Sequence, residues 1–93
     1  MQKTNVSKAL RRLRDDERRG VRLRRLQLRA LAVQRRVSSE LANILPNEFW
    51  DWLSDFDVRK KSPELAAEQN AFIDELIRRL ESGERLEEDG TPR

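Results

Sequence analysis

Residues 23–45 read LRRLQLRALAVQRRVSSELANIL, and in them Leu23, Leu26, Ala30, Val33, Val37, Glu40 and Ile44 recur in alternating steps of three and four. That spacing keeps one apolar stripe on one side of a helix, with a single polar exception at Glu40, and is the pattern of a coiled-coil seam. With Leu23 as position a, the g positions are Arg22, Arg29 and Arg36 and the e positions are Gln27, Gln34 and Leu41. Nothing in such a seam pairs charge with itself, so its electrostatics favour an acidic partner. Val21, Leu28 and Leu31 widen the apolar arc beyond a strict a/d stripe, which implies more than one neighbour.

Upstream, Val6, Leu10 and Leu13 stand at i, i+4 and i+7, and Asn5 or Ser7 is a candidate N-cap. Gly20, after two arginines, suits a C′ glycine, yet neither an N-cap residue nor a proline follows it. The expectation is therefore one long basic helix running to Leu45, kinked or frayed at Gly20 and stopped by Pro46. Downstream, Phe49, Trp52, Leu53 and Phe56 at i, i+3, i+4 and i+7 predict a short aromatic helix over 47–57. Val58, Arg59, Lys60 and Lys61 read as a basic connector. Ser62, Pro63 and Glu64 then supply an N-cap, a first-turn proline and an early acid. The helix they start has Ala66, Gln69, Ile73, Leu76 and Leu80 along one side and stops near Gly83.

The expected fold is all-α, a single helical domain over 1–82 made of a basic arm (1–22), a heptad-like helix (23–45), the aromatic helix (47–57) and a C-terminal amphipathic helix (63–82). Residues 83–93, acidic and carrying one leucine, are expected to be a disordered tail. A 93-residue chain that is 37% hydrophobic and 40% charged has a thin core, and a helical homodimer is the natural remedy.

Charge is divided more sharply than the net +3 suggests. Residues 1–36 hold 13 Lys and Arg against Asp15, Asp16 and Glu17; residues 37–93 hold 7 basic and 14 acidic side chains. Such asymmetry points to a polyanion partner for the basic half or to pairing between the halves. Arg11, Arg12, Arg14, Arg18, Arg19, Arg22, Arg24, Arg25 and Arg29 lie on several helix faces, too widely spread for internal use, and are the expected DNA or RNA contacts, made mainly to phosphates. Arg22, Arg29 and Arg36 flank the seam and are placed to answer the acidic half as well, whereas Arg11 to Arg25 are too widely distributed for that alone, so the part before the heptads is the expected grip on a polyanion. Sequence-specific readout finds little support: the helix after Pro63 carries Glu64, Glu68, Asp74 and Glu75, which repel phosphate.

A protein-interaction adaptor or inhibitor is the alternative, with Leu23, Leu26, Val33, Val37 and Trp50 as its surface. Trp50 lies off the aromatic stripe and tryptophan is enriched in interface hot spots. With neither Cys nor His the chain has no thiolate, imidazole or usual zinc chemistry, and no phosphate-cradling glycine loop or G-x-S-x-G motif is present. Carboxylate pairs such as Asp51 with Asp55 lack an evident pocket. A non-enzymatic protein without metal or cofactor is expected. It is expected to be cytoplasmic, since no apolar run approaches the roughly 20 residues that cross a bilayer. A membrane surface ranks last among partners, because the arginines are not confined to one face and the apolar arc has no Trp or Phe.

Overall fold

A computed structural model describes residues 3–83, side chains from Asn5 onward. Among them are six helices and no strand: α1 (Lys3–Arg18), α2 (Leu23–Arg36), α3 (Ser39–Ile44), α4 (Asn47–Ser54), α5 (Phe56–Lys61) and α6 (Pro63–Ser82).

The expected long helix is broken twice. At the first break Gly20 takes φ 80°, and the backbone amides of Gly20 and Val21 donate to the carbonyls of Glu17 (3.2 Å) and Asp16 (3.0 Å). These two bonds form a Schellman end, which satisfies carbonyls that a fraying helix would leave open. No N-cap side chain restarts the chain: Arg22 opens α2 with its carbonyl alone, bonded to the Leu26 amide at 3.1 Å. The chain thus breaks and restarts at Gly20 without an N-cap side chain. Gly20→Ala should destabilise the fold by about 1 kcal/mol through backbone strain alone, since a Cβ there meets nothing within 4 Å. A urea midpoint unchanged from wild type would show that the turn tolerates the substitution.

At the second break Val37 is extended, and the Ser38 hydroxyl accepts from the Leu41 amide (3.2 Å) to cap α3. This shifts the frame of the heptads. A continuous helix would bury Ile44 and pass over Glu40; instead Leu41 and Leu45 are buried, Ile44 is half-buried and Glu40 faces outward. The polar exception in the seam marks where the seam stops.

The aromatic segment is likewise two elements, α4 and α5, divided at Asp55, and the basic connector is the body of α5. The start of α6 agrees with expectation: the Ser62 hydroxyl accepts from the Leu65 amide, Pro63 fills the first turn, and Gly83 (φ 79°) ends the helix. Of the expected disordered tail, residues 84–93 lie outside the described residues.

One hydrophobic cluster draws on all six helices. Val6, Leu10 and Leu13 of α1 meet α6, whose Ile73, Leu76, Ile77 and Leu80 are buried; Phe49, Trp52, Leu53 and Phe56 fill the middle; Leu26, Ala30 and Val33 of α2 cover α4 and α5. The basic arm is therefore no projection. Arginines stand all round its exposed surface, but its apolar stripe is a wall of the core.

Candidate nucleic-acid interface

The packing sorts the arginines into two sets. In the first, each has an acid. Arg11 donates from Nε and Nη2 to the two carboxylate oxygens of Glu81, at 2.5 and 2.6 Å. Arg14 does the same to Asp74, at 3.0 and 3.2 Å. Both acids belong to α6, and the order of the pairs, with residue 11 beside 81 and 14 beside 74, shows that the two helices run antiparallel. Arg29 pairs with the buried Asp16, tying α2 to α1. Arg18 reaches Asp15 at 4.0 Å with both side chains exposed, a separation worth little in water.

Arg11 and Glu81 stabilise each other's charged forms. The hydrogen bond from Arg11 pulls the Glu81 carboxyl below its ordinary value, and the same bond and charge raise Arg11. The folded value of Glu81 is the lower one, so what the pair adds is present above the ordinary carboxylate range and is lost as pH falls through the folded value.

In the second set are Arg12, Arg19, Arg22, Arg24, Arg25, Arg35 and Arg36, all exposed and without an ion pair among the described residues. Six of the seven fall in residues 18–39, which contain eight arginines and no acid. The inward turn of Leu26, Ala30 and Val33 forces this exposure. Arg24, Leu28, Leu31 and Arg35, at i, i+4, i+7 and i+11, consequently line the outer side of α2, with Arg25 and Arg36 adjoining. Leu28 is 60% exposed and Leu31 40%.

This division reverses one expectation. Among the described residues, the arginines that answer the acidic half are Arg11 and Arg14, not Arg22 and Arg36, and Arg29 answers an acid of α1. Arg35 and Arg36 join the free set although they were not among the expected contacts. Their signal was in the sequence, since an inward Leu26–Ala30–Val33 stripe puts Arg35 outside.

The expected partner surface is largely consumed by the fold. Leu26 and Val33 are core residues at 4% and 6% exposure, and Leu23, Val37 and Trp50 are half-buried against the same cluster. Trp50 meets the Phe49 ring edge-on, centroids 4.7 Å apart.

Arg59 is the functional-group surprise. Its side chain is 1% exposed, with the guanidinium carbon 4.5 Å from the ring centroids of both Trp52 and Phe56. Nε donates to Glu17 at 2.9 Å, and Nη1 donates to the Trp52 carbonyl (2.8 Å) and to Gln69 (2.7 Å). Burial pulls this arginine below its ordinary value, against the upward influence of Glu17. Nη2 of Arg59 and Oε1 of Glu17 are buried without a hydrogen-bond partner among the described residues. Arg59 is core rather than connector, and its place three residues after Phe56 and seven after Trp52 continues the aromatic stripe.

Among the described residues, no helix is long and apolar enough to cross a membrane and no cluster of three or more acids could hold a metal. Comparison of the chain with protein-family models, with curated proteins and with solved structures gives no match.

Proposed function

We propose that this chain is a small non-enzymatic regulator that binds nucleic acid through the α1–α2 turn and the outer side of α2, chiefly by phosphate contacts. The observation that carries it is the run of eight arginines without an acid over residues 18–39, six of them exposed and without an ion pair among the described residues. Guanidinium groups already held by carboxylates have little to offer a phosphate, whereas these six have their donors in water. The Gly20 turn joins Arg19 to Arg22 at the start of α2 through hydrogen-bonded backbone, so these charges are carried on ordered structure rather than on a flexible string. Each phosphate neutralised releases counterions, which makes salt dependence the diagnostic.

Anisotropy titration of labelled duplex and single-stranded oligonucleotides should show saturable binding at low salt. On duplex, log K should fall with log salt with a slope of about −4 to −6, as expected for roughly five or six phosphate contacts. Absence of binding to both forms at low salt would sink the proposal.

Leu28 and Leu31, exposed between Arg24 and Arg35, favour a second function, docking an acidic amphipathic helix of a larger protein. Its mark would be partner capture abolished by Leu28→Ser with oligonucleotide affinity unchanged. A homodimer built on the heptad seam is not part of this proposal, because Leu26, Ala30 and Val33 would have to leave the core to form it.

A further inference from the structure

Between the α1–α2 turn and helices α5 and α6 lies a cleft of about 320 Å³, at the small end of the range for ligand pockets. Val21, Leu23, Leu26 and Phe56 give it apolar walls. Arg14, Arg18, Arg59 and Lys60 also line it, against one acid, Glu17. Arg14 is engaged with Asp74, which leaves Arg18 and Lys60 as the exposed cations at its edge. Glu17 and Arg59 both contribute to the lining, and they carry the two buried unpartnered atoms, one an acceptor and one a donor.

We propose that this cleft binds a nucleoside monophosphate, its base against the apolar walls and the Glu17–Arg59 pair and its phosphate toward Arg18 and Lys60. Every nucleobase presents an adjacent donor and acceptor along its pairing edge and an apolar face on either side. Such an edge accepts from Arg59 Nη2 and donates to Glu17 Oε1 once the two side chains shift to admit it, both atoms being buried in the unliganded protein. A simple carboxylate or phosphate would satisfy the arginine but be repelled by the glutamate, and a purely apolar ligand would satisfy neither. The phosphate balances the cationic excess that Glu17 alone leaves. The same chemistry arrives as a free nucleotide or as an unstacked residue of a strand, so the class of ligand rests on the nucleic-acid proposal while the site does not: none of the six free arginines of residues 18–39 lines it.

The test uses the full chain and the four ribonucleoside monophosphates, followed by the Arg59 Nε–H resonance and by calorimetry. At least one should bind saturably with Kd below about 1 mM, while the matching nucleoside and ribose 5-phosphate, each carrying half of the ligand, bind at least about tenfold more weakly. Ala66→Phe, which fills the cleft from α6, should abolish that binding while helicity persists. Arg18→Gln with Lys60→Gln alters only exposed side chains and should weaken the monophosphate about tenfold, leaving the nucleoside unchanged; this pair serves if Ala66→Phe does not fold. An oligonucleotide with one abasic position, compared with the intact strand, separates the sources: weakening by the missing base assigns the cleft to a strand residue, and equal affinity assigns it to the free nucleotide. No binding of any monophosphate, or binding indifferent to both variants, overturns the cleft site even where salt-dependent strand binding persists.

Discussion

Arg59→Ala is expected to lower the free energy of unfolding by about 3–5 kcal/mol, a large part of the roughly 5–15 kcal/mol that holds a domain of this kind together. Three losses combine. The guanidinium leaves a void against Trp52 and Phe56, the Trp52 carbonyl and Gln69 lose a donor, and Glu17 keeps a carboxylate that is only 18% exposed without its counter-charge. Solvent screening does little to soften this, because the arginine side of the pair is 1% exposed. Arg59→Met keeps much of the packing and should cost less than alanine. Adding Glu17→Gln to Arg59→Met should recover part of the remainder, since replacing both members of a buried pair is cheaper than orphaning one. Urea unfolding followed by circular dichroism checks all three. A loss below about 1 kcal/mol for Arg59→Ala would mean that the guanidinium sits in water and that the core closes without it.

Arg59 reads as part of a basic connector while Phe49, Trp52, Leu53 and Phe56 are legible as core, which shows where sequence periodicity loses power. Phe49, Trp52, Leu53 and Phe56 announce their side of the helix because all are apolar. The next position on that side is charged, and a charge beside Lys60 and Lys61 looks like a solvated run. Only tertiary structure, two aromatic rings and Glu17 from a helix 42 residues away, makes burial tolerable there. The start of α6 was legible for the opposite reason: Ser62, Pro63 and Glu64 act locally and need no partner. Heptad spacing over 23–45 identified the inward residues of α2 correctly but not what they pack against. A stripe looks the same whether it meets a second copy or α4 and α5 of its own chain. Ser38 could have shown the break, since an uninterrupted helix has no use for a capping serine in front of Leu41. For the arginines, nearness in sequence was the wrong guide. Arg11 has basic neighbours along the chain and Arg14 stands directly before Asp15, yet it is the antiparallel contact of α1 with α6 that delivers the paired acid to each.

Replacing Arg19, Arg22, Arg24 and Arg25 together with Gln should weaken oligonucleotide binding about a hundredfold or more at 50 mM salt and flatten the salt slope by about 3 to 4. Stability should stay within about 0.5 kcal/mol of wild type, because the four side chains are exposed and have no ion pair among the described residues. The control inverts the design. Arg11→Gln with Arg14→Gln removes the same kind of charge from residues that α6 already holds, so it should leave the slope within about one unit of wild type. Its effect belongs instead to folding, where Glu81 and Asp74 lose their partners. Net charge falls by four in one variant and by two in the other, and a response that merely followed net charge would scale by that ratio. Contact by the free surface predicts something sharper: almost the whole change in slope in the first variant and almost none in the second. A steeper loss from the α1 pair would place the phosphates along α1 and require the Arg11–Glu81 and Arg14–Asp74 pairs to open on binding. Equal loss per charge would reduce the interaction to long-range attraction, with no defined surface on α2.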